Sequence, residues 1–222
     1  MVRGPRCRTR RESLTFRGKA LGVTSCGVTE RAALHEHALH NIRYIREAME
    51  RASAFTSIPG RGGCAIGVTA IVTAVVASRF TVQPRIWVSC WLVEAALAVA
   101  IAAVTMYAKA RRANVSLLSA PARRFFVSYS APLIAGALIT LALVRTGLFA
   151  PLPAVWLLLY GASFISSGAF SIRVVPVMGI CFMLLGLAAC FVPLSIANIL
   201  MGAGFGVLHI AFGFIIARSY GG

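Results

Sequence analysis

Residues 86–108, with the sequence IWVSCWLVEAALAVAIAAVTMYA, decide the class of this protein. Glu94 is the one charged side chain in this stretch, and almost every other position is apolar or small. A helix needs about 20 such residues to cross the roughly 30 Å of hydrocarbon in a bilayer. The stretch is therefore predicted to be a membrane-spanning helix.

Five further apolar stretches have the same character: Gly63–Ser78, Phe125–Val144, Leu148–Ile172, Val174–Val192 and Leu194–Ala217. The first of them is the shortest, so we expect it to continue through residues 80–82 while Arg79 extends its charge to the headgroups. Very short turns join the last three stretches, which favours antiparallel neighbours. The predicted fold class is all-α, a polytopic membrane protein in which residues 63–217 form an antiparallel bundle of six transmembrane helices.

Composition excludes a water-soluble domain, because 59% of the residues are hydrophobic and the mean hydropathy is +0.82. The formal net charge of +16 raises nucleic acid as a partner. Outside the N-terminal segment, however, the arginines lie at the ends of the predicted spans, where they anchor helices in lipid headgroups. We therefore expect the lipid bilayer, and no nucleic acid, as a partner.

Lysine and arginine are distributed unequally between the two ends of the predicted spans. The basic residues next to spans concentrate in cytoplasmic loops of membrane proteins. Placing the N-terminus in the cytoplasm leaves Arg79, Arg85 and Arg145 as the only basic residues outside. Both termini, including the tail at residues 218–222, are therefore predicted to be cytoplasmic.

The first 29 residues form an Arg-rich leader without the apolar run of about 7–15 residues that a secretory signal carries. We expect this leader to be disordered or not native, the true start then lying near Val28. A transit peptide is a third interpretation of the same composition.

Residues 30–52 predict an amphipathic cytosolic helix, because apolar residues recur there at helical spacing: Leu34, Ala38, Ile42, Ile45, Met49 and Ala52. A hinge rich in glycine and proline, residues 55–63, is expected to lead into the first span, so that residues 30–62 form one unit. The helix is expected to lie on the membrane surface, to pack under the bundle, or to pair with a protein partner or a second copy of the chain.

Three histidines and a glutamate stand near the start of this predicted helix: His35, Glu36, His37 and His40. Zinc sites take three or four ligands that converge from several directions, and one helix face presents only two of these side chains. We therefore expect a solvated polar face and no metal site.

Glu94 is the one acidic side chain inside the predicted spans, and its cost in lipid predicts that it faces the interior of the bundle. Tyr160, Ser163, Ser166 and Ser167 of the fourth span lie at similar depth and are candidate partners. Two interpretations stay open, a proton or cation site and a carboxyl that ties helices together by hydrogen bonds. Desolvation disfavours a charged carboxylate, so we expect the carboxyl to be protonated.

His209 completes the candidate intramembrane polar site of Glu94, His209, Tyr160 and Ser163. A second histidine inside the spans would be needed for a bis-His haem within one chain, so we predict no cofactor and a structural hydrogen bond for His209. Glycine pairs four residues apart, Gly63/Gly67 and Gly202/Gly206, predict close helix packing.

Two blocks, Asn41–Gly63 (NIRYIREAMERASAFTSIPGRGG) and Gly204–Gly222 (GFGVLHIAFGFIIARSYGG), resemble a family of uncharacterised bacterial inner-membrane proteins. In that family a short cytosolic helix precedes six helices. The resemblance implies a bacterial inner (cytoplasmic) membrane, and it implies no known activity and no functional residues.

An intramembrane enzyme would need a nucleophile or a metal constellation at one depth, so we predict no catalytic residues. The first hypothesis is a non-enzymatic inner-membrane protein with an interaction or regulatory role at its cytosolic face. The alternative is a small-solute or proton-linked transporter, or a subunit of one, that uses Glu94.

Overall fold

The computed structural model describes His35 and residues 39–42, 58–114, 116–117 and 119–220. Its helices are α1 Gly60–Ser78, α2 Pro84–Arg112, α3 Ala120–Thr146, α4 Leu152–Gly168, α5 Val174–Ala189, α6 Leu194–Met201, a π-helical segment Gly202–Leu208, and α7 His209–Tyr220. The fold class is all-α, as predicted. The last three elements form one continuous helix, Leu194–Tyr220.

Four helices are long and apolar enough to cross a membrane: α1, α2, α3 and the continuous helix Leu194–Tyr220. The other two are apolar but shorter, with 17 residues in α4 and 16 in α5. The chain is therefore a membrane protein by the length and composition of its helices.

In the N-terminal part, His35 and residues 39–42 are helical and exposed. The leader at residues 1–29 and the rest of the predicted cytosolic helix, including Glu36 and His37, lie outside the described residues.

The first span is longer than predicted at its N-terminal end, whereas the prediction extended it at its C-terminal end. It begins at Gly60, so Gly60–Gly63 belong to α1 and not to a hinge. The predicted continuation through residues 80–82 is wrong, because the chain turns after Ser78 and the backbone N–H of Phe80 donates to the Ala77 carbonyl at 2.9 Å. Pro84 then starts α2 at a position where its missing N–H costs nothing.

Helix α4 is shorter than the predicted stretch Leu148–Ile172, because its start is fixed by proline and by a helix cap. Gly147 closes α3 in the left-handed region with a φ of +74°. The N–H of Leu148 then donates to the Leu143 carbonyl at 2.9 Å, and that of Gly147 to the Val144 carbonyl at 3.3 Å. This Schellman cap ends α3, and α4 begins after Pro151.

Glycines bring two pairs of helix backbones into close contact, and the spacing of Gly63/Gly67 and Gly202/Gly206 predicts one of the two. A Cβ on Gly161 of α4 would lie 2.7 Å from the Gly179 carbonyl of α5, and one on Gly67 of α1 would lie 2.6 Å from the Gly206 carbonyl. No larger side chain fits at such positions, so these glycines set the packing of α4 on α5 and of α1 on the last helix.

Five helix ends meet at one end of the bundle. Lys109 near the end of α2 donates through Nζ to the Ile58 carbonyl before α1, at 2.9 Å, and to the Tyr220 carbonyl at the end of α7, at 3.2 Å. Ile58 also packs against the cluster of Ala122 and Phe125 in the first turns of α3, as does Phe170 after α4. An open cavity of about 390 Å³ lies at the other end of α2 and α3. It is lined by the turns 81–84 and 147–151 and by the start of α6.

Candidate functional site

Glu94 is buried between α1 and α2, with 5% of its surface exposed. Thr69 Oγ1 lies 2.8 Å from its Oε1, and Thr73 Oγ1 donates to its Oε2 at 3.0 Å. The two threonines are four residues apart and so stand on one face of α1. The prediction that Glu94 faces the interior is confirmed, but its partners come from the first span and not from the fourth.

Tyr160 and His209 are brought together across α4 and the start of α7. The Tyr160 hydroxyl lies 2.8 Å from Nε2 of His209, and Nδ1 lies 3.4 Å from the Gly204 carbonyl. A carbonyl only accepts, so Nδ1 carries the proton and Tyr160 donates to Nε2. Tyr129 of α3 lies beside this pair, with its ring edge-on to that of Tyr160 at a centroid distance of 6.3 Å.

Aromatic rings enclose the imidazole of His209. Ring centroids of Phe182, Phe205 and Phe164 lie 5.5, 6.2 and 6.4 Å from that of His209. The π-helical segment Gly202–Leu208 ends directly before His209, and π-turns often occur at functional positions of helices. The surroundings are apolar, so they favour a neutral imidazole that holds α7 to α4.

Ser163 does not join Glu94 or His209, although it was a candidate for the same site. It is fully buried, and its hydroxyl donates to the Leu159 carbonyl of its own helix at 2.9 Å. Ser166 instead links helices, donating to the Ser128 carbonyl of α3 at 2.9 Å. The four predicted residues thus fall into a Glu94 cluster, a Tyr160–His209 pair and one self-satisfied serine.

Asn198 forms a third buried polar cluster, which sequence reasoning missed. Its Oδ1 accepts from the indole N–H of Trp87 at 2.8 Å and of Trp91 at 3.1 Å, while its Nδ2 donates to the Ala74 carbonyl at 3.0 Å. The cluster joins α6, α2 and α1. The sequence contains one indication of this cluster, because an amide side chain inside an apolar span has to find hydrogen-bond partners there.

The polar contacts of α2 lie along one side of the helix. Trp87, Trp91 and Glu94 are four and three residues apart, a spacing that places them on one face. Near the end of the helix, Lys109 makes the two carbonyl contacts described above. These hydrogen bonds position α2 against α1 and α6, together with the apolar contacts of its buried residues Trp87, Val88 and Trp91.

Among the described residues, no group of three or more His, Cys, Asp or Glu side chains is placed to hold a metal ion. Within the same residues, every buried side-chain nitrogen and oxygen has a hydrogen-bond partner. Comparisons of the chain with protein-family models, with curated proteins and with solved structures found no match.

Proposed function

We propose that this chain is a non-enzymatic, six-span protein of a bacterial inner membrane that acts by binding a partner at its cytoplasmic face. The observation that carries the proposal is the saturation of its intramembrane polar groups. Every polar side-chain atom of Glu94, His209 and Asn198 has a hydrogen-bond partner. The partners are side chains of other helices and backbone carbonyls. Such groups serve as ties between helices.

The six-span architecture is supported by the way the helix ends group. A chain that crosses six times brings the starts of α1, α3 and α5 to one face and the ends of α2, α4 and α7 to the same face. The contacts of Lys109 and of the cluster of Ala122 and Phe125 agree with this path. Helices α4 and α5 measure roughly 26 and 24 Å at about 1.5 Å per residue, and local thinning of the bilayer accommodates such a shortfall.

The orientation is supported by the basic residues at these two faces. Eight lie at the face of Lys109: Arg61, Lys109, Arg111, Arg112, Arg123, Arg124, Arg173 and Arg218. Of the basic residues that the structure describes, only Arg79, Arg85 and Arg145 lie at the other face. The positive-inside rule then puts the Lys109 face, with both termini, in the cytoplasm.

The predicted helix at residues 30–52 is the candidate binding element. It precedes α1 in the sequence by a few residues, and its apolar stripe includes Ile42, which is exposed together with Leu39. The partner is a protein or a second copy of this chain, and the resemblance of residues 41–63 to a family of bacterial membrane proteins supports this assignment of the region.

Site-specific photo-cross-linking in intact bacterial cells tests the proposal. A photoreactive amino acid in place of Ile42 should give a discrete protein adduct in the membrane fraction. The same residue in place of His40 is the control, because two residues correspond to about 200° around a helix. Its adduct should be several-fold weaker. Equal adducts from both positions, or lipid adducts alone from Ile42, would contradict a binding face.

Alkaline phosphatase fused after Gly222 checks the orientation in the same cells. The enzyme requires disulfides that form outside the cytoplasm, so the fusion should be inactive. An active fusion would overturn the six-span arrangement with both ends inside.

A proton-linked transporter is the second candidate, favoured by the position of Glu94 near the middle of α1 and α2. The carboxyl lies ten residues from the start of α2, or about 15 Å along the helix. Solute uptake that is driven by a proton gradient in liposomes, and that Glu94→Gln abolishes, would favour transport over binding.

A further inference from the structure

The hydroxyl of Thr69 stands between two oxygen atoms. Its Oγ1 lies 2.8 Å from Glu94 Oε1 and 2.9 Å from the carbonyl oxygen of Ile66, one turn earlier in α1. Thr73 adds a third short contact, 3.0 Å from its Oγ1 to Glu94 Oε2. Three oxygen–oxygen contacts of hydrogen-bond length therefore meet at one carboxyl.

Counting protons separates the two forms of the carboxyl. A threonine hydroxyl carries one proton, a carbonyl none, and a carboxylate none. If Glu94 is charged, the two threonine hydroxyls supply the only two protons for the three contacts. Thr69 then has no proton to place in one of its two contacts, either the one with Glu94 or the one with the Ile66 carbonyl. A neutral Glu94 supplies the third proton: Oε1–H to Thr69 Oγ1, Thr69 O–H to the Ile66 carbonyl, and Thr73 O–H to Oε2.

The cations of α1 and α2 lie too far along the helices to neutralise a charge on Glu94. On α1 the cations Arg61 and Arg79 stand at or just beyond the helix ends, and on α2 Arg85 and Lys109 do the same. The nearest titratable side chain on α2 is Cys90, one turn before Glu94, while Cys64 of α1 is turned to the Ile210 carbonyl. An unpaired charge is costly in a membrane interior, which agrees with the proton count.

We propose that Glu94, Thr69 and Thr73 form an intramembrane proton-binding site in which the bound proton lies between Glu94 and Thr69. When the proton leaves, the O–H bond of Glu94 breaks and the proton passes to water. The Thr69 hydroxyl then rotates from the Ile66 carbonyl to the carboxylate, while Thr73 stays in place. The tie between α1 and α2 is thus kept in both states, and only the direction of one hydroxyl changes.

Infrared spectroscopy of the full-length protein in lipid bilayers at neutral pH tests this proposal. The C=O stretching band of a protonated carboxyl should be present in the wild type and lost in Glu94→Gln. The remaining five glutamates precede α1 and are the same in both proteins, so a band that only the wild type shows belongs to Glu94. Loss of carboxylate bands in Glu94→Gln, with no protonated band in the wild type, would overturn the proposal.

Thr73→Val keeps the test decisive if Glu94→Gln does not fold. The variant removes the donor to Oε2, so the protonated band should persist and move to higher frequency. Thr105→Val is the matched control, because the Thr105 hydroxyl donates only to carbonyls of its own helix, and it should leave the band in place. A band that Thr73→Val does not move would assign the proton to another group. These outcomes do not depend on whether the protein binds a partner or transports a solute.

Discussion

Helices α4 and α5 are held together by different means from helices α1 and α2. The α4–α5 pair is in backbone contact, because Gly161 and Gly179 each leave a gap that the other helix fills. The α1–α2 pair is joined through side chains, which include the contacts of Glu94 with Thr69 and Thr73. Lipid is as apolar as leucine, so a hydrophobic driving force supports neither pair, and packing or hydrogen bonds have to do so.

The difference predicts how each pair responds to change. Close backbone packing consists of many weak contacts that are lost together when the helices separate. Hydrogen bonds between membrane helices contribute about 0.6 kcal/mol each on average, and each can be removed separately. We therefore expect α4–α5 to be intolerant of added volume and α2 to weaken in small steps.

Among the substitutions that add no charge, the largest effect is expected for Gly161→Ala. The new Cβ would stand 2.7 Å from the Gly179 carbonyl and 2.9 Å from the Met183 nitrogen, and neither backbone atom can move without its helix. Overpacking of this kind costs about 1–3 kcal/mol. Denaturation of the purified protein in detergent measures the change in the free energy of unfolding.

Gly136→Ala makes the same substitution on α3 and serves as the control. Its Cβ would meet the mobile end of Leu159, at 3.3 Å, and alanine favours helix over glycine by about 1 kcal/mol. Its stability should equal or exceed that of the wild type. Equal losses in both variants would mean that backbone contact does not distinguish α4–α5.

An intermediate effect is expected for Asn198→Leu, which tests the polar attachment of α2. The substitution removes the acceptor of two indole N–H groups and the donor to the Ala74 carbonyl. Three interhelical hydrogen bonds at about 0.6 kcal/mol each amount to roughly 2 kcal/mol. The tryptophan emission should also shift, because Trp87 and Trp91 lose their partner.

Ser89→Ala on α2 is the matched control for Asn198→Leu. The Ser89 hydroxyl is exposed and donates only to the Arg85 carbonyl of its own helix. Neither stability nor tryptophan emission should change. A loss in Ser89→Ala as large as that in Asn198→Leu would show that α2 is sensitive to any substitution and not to the loss of its ties.

The sequence predicts the apolar helices well, because long apolar runs are the strongest pattern in the chain. Four of the six predicted stretches form helices long enough to cross a membrane. The helix ends are predicted less well. The sequence of Gly60–Gly63 is typical of a hinge, and only the structure shows that α7 packs so closely there that a helix needs glycine. The burial of Glu94 follows from its cost in lipid. Its partners do not, because a threonine in an apolar helix satisfies its hydroxyl locally and gives no sign of a distant acceptor.

The smallest effect is expected for Glu94→Gln. The amide keeps an acceptor oxygen for Thr73 and supplies an N–H donor toward Thr69, so it reproduces the three hydrogen bonds of a neutral carboxyl. Its free energy of unfolding should lie within about 0.5 kcal/mol of the wild type, the range of a substitution that breaks no special contact.

Glu94→Leu and Glu94→Lys complete the series measured under the same conditions. Leucine removes both contacts with α1 and should cost roughly 0.6–2 kcal/mol, and lysine should cost more because it adds a charge in the membrane interior. A Gln variant that is much less stable than the wild type would mean that the carboxylate is charged and held by its donors. A Leu variant as stable as the wild type would mean that the contacts with Thr69 and Thr73 do not hold α2, and that α1–α2 depends on packing as α4–α5 does.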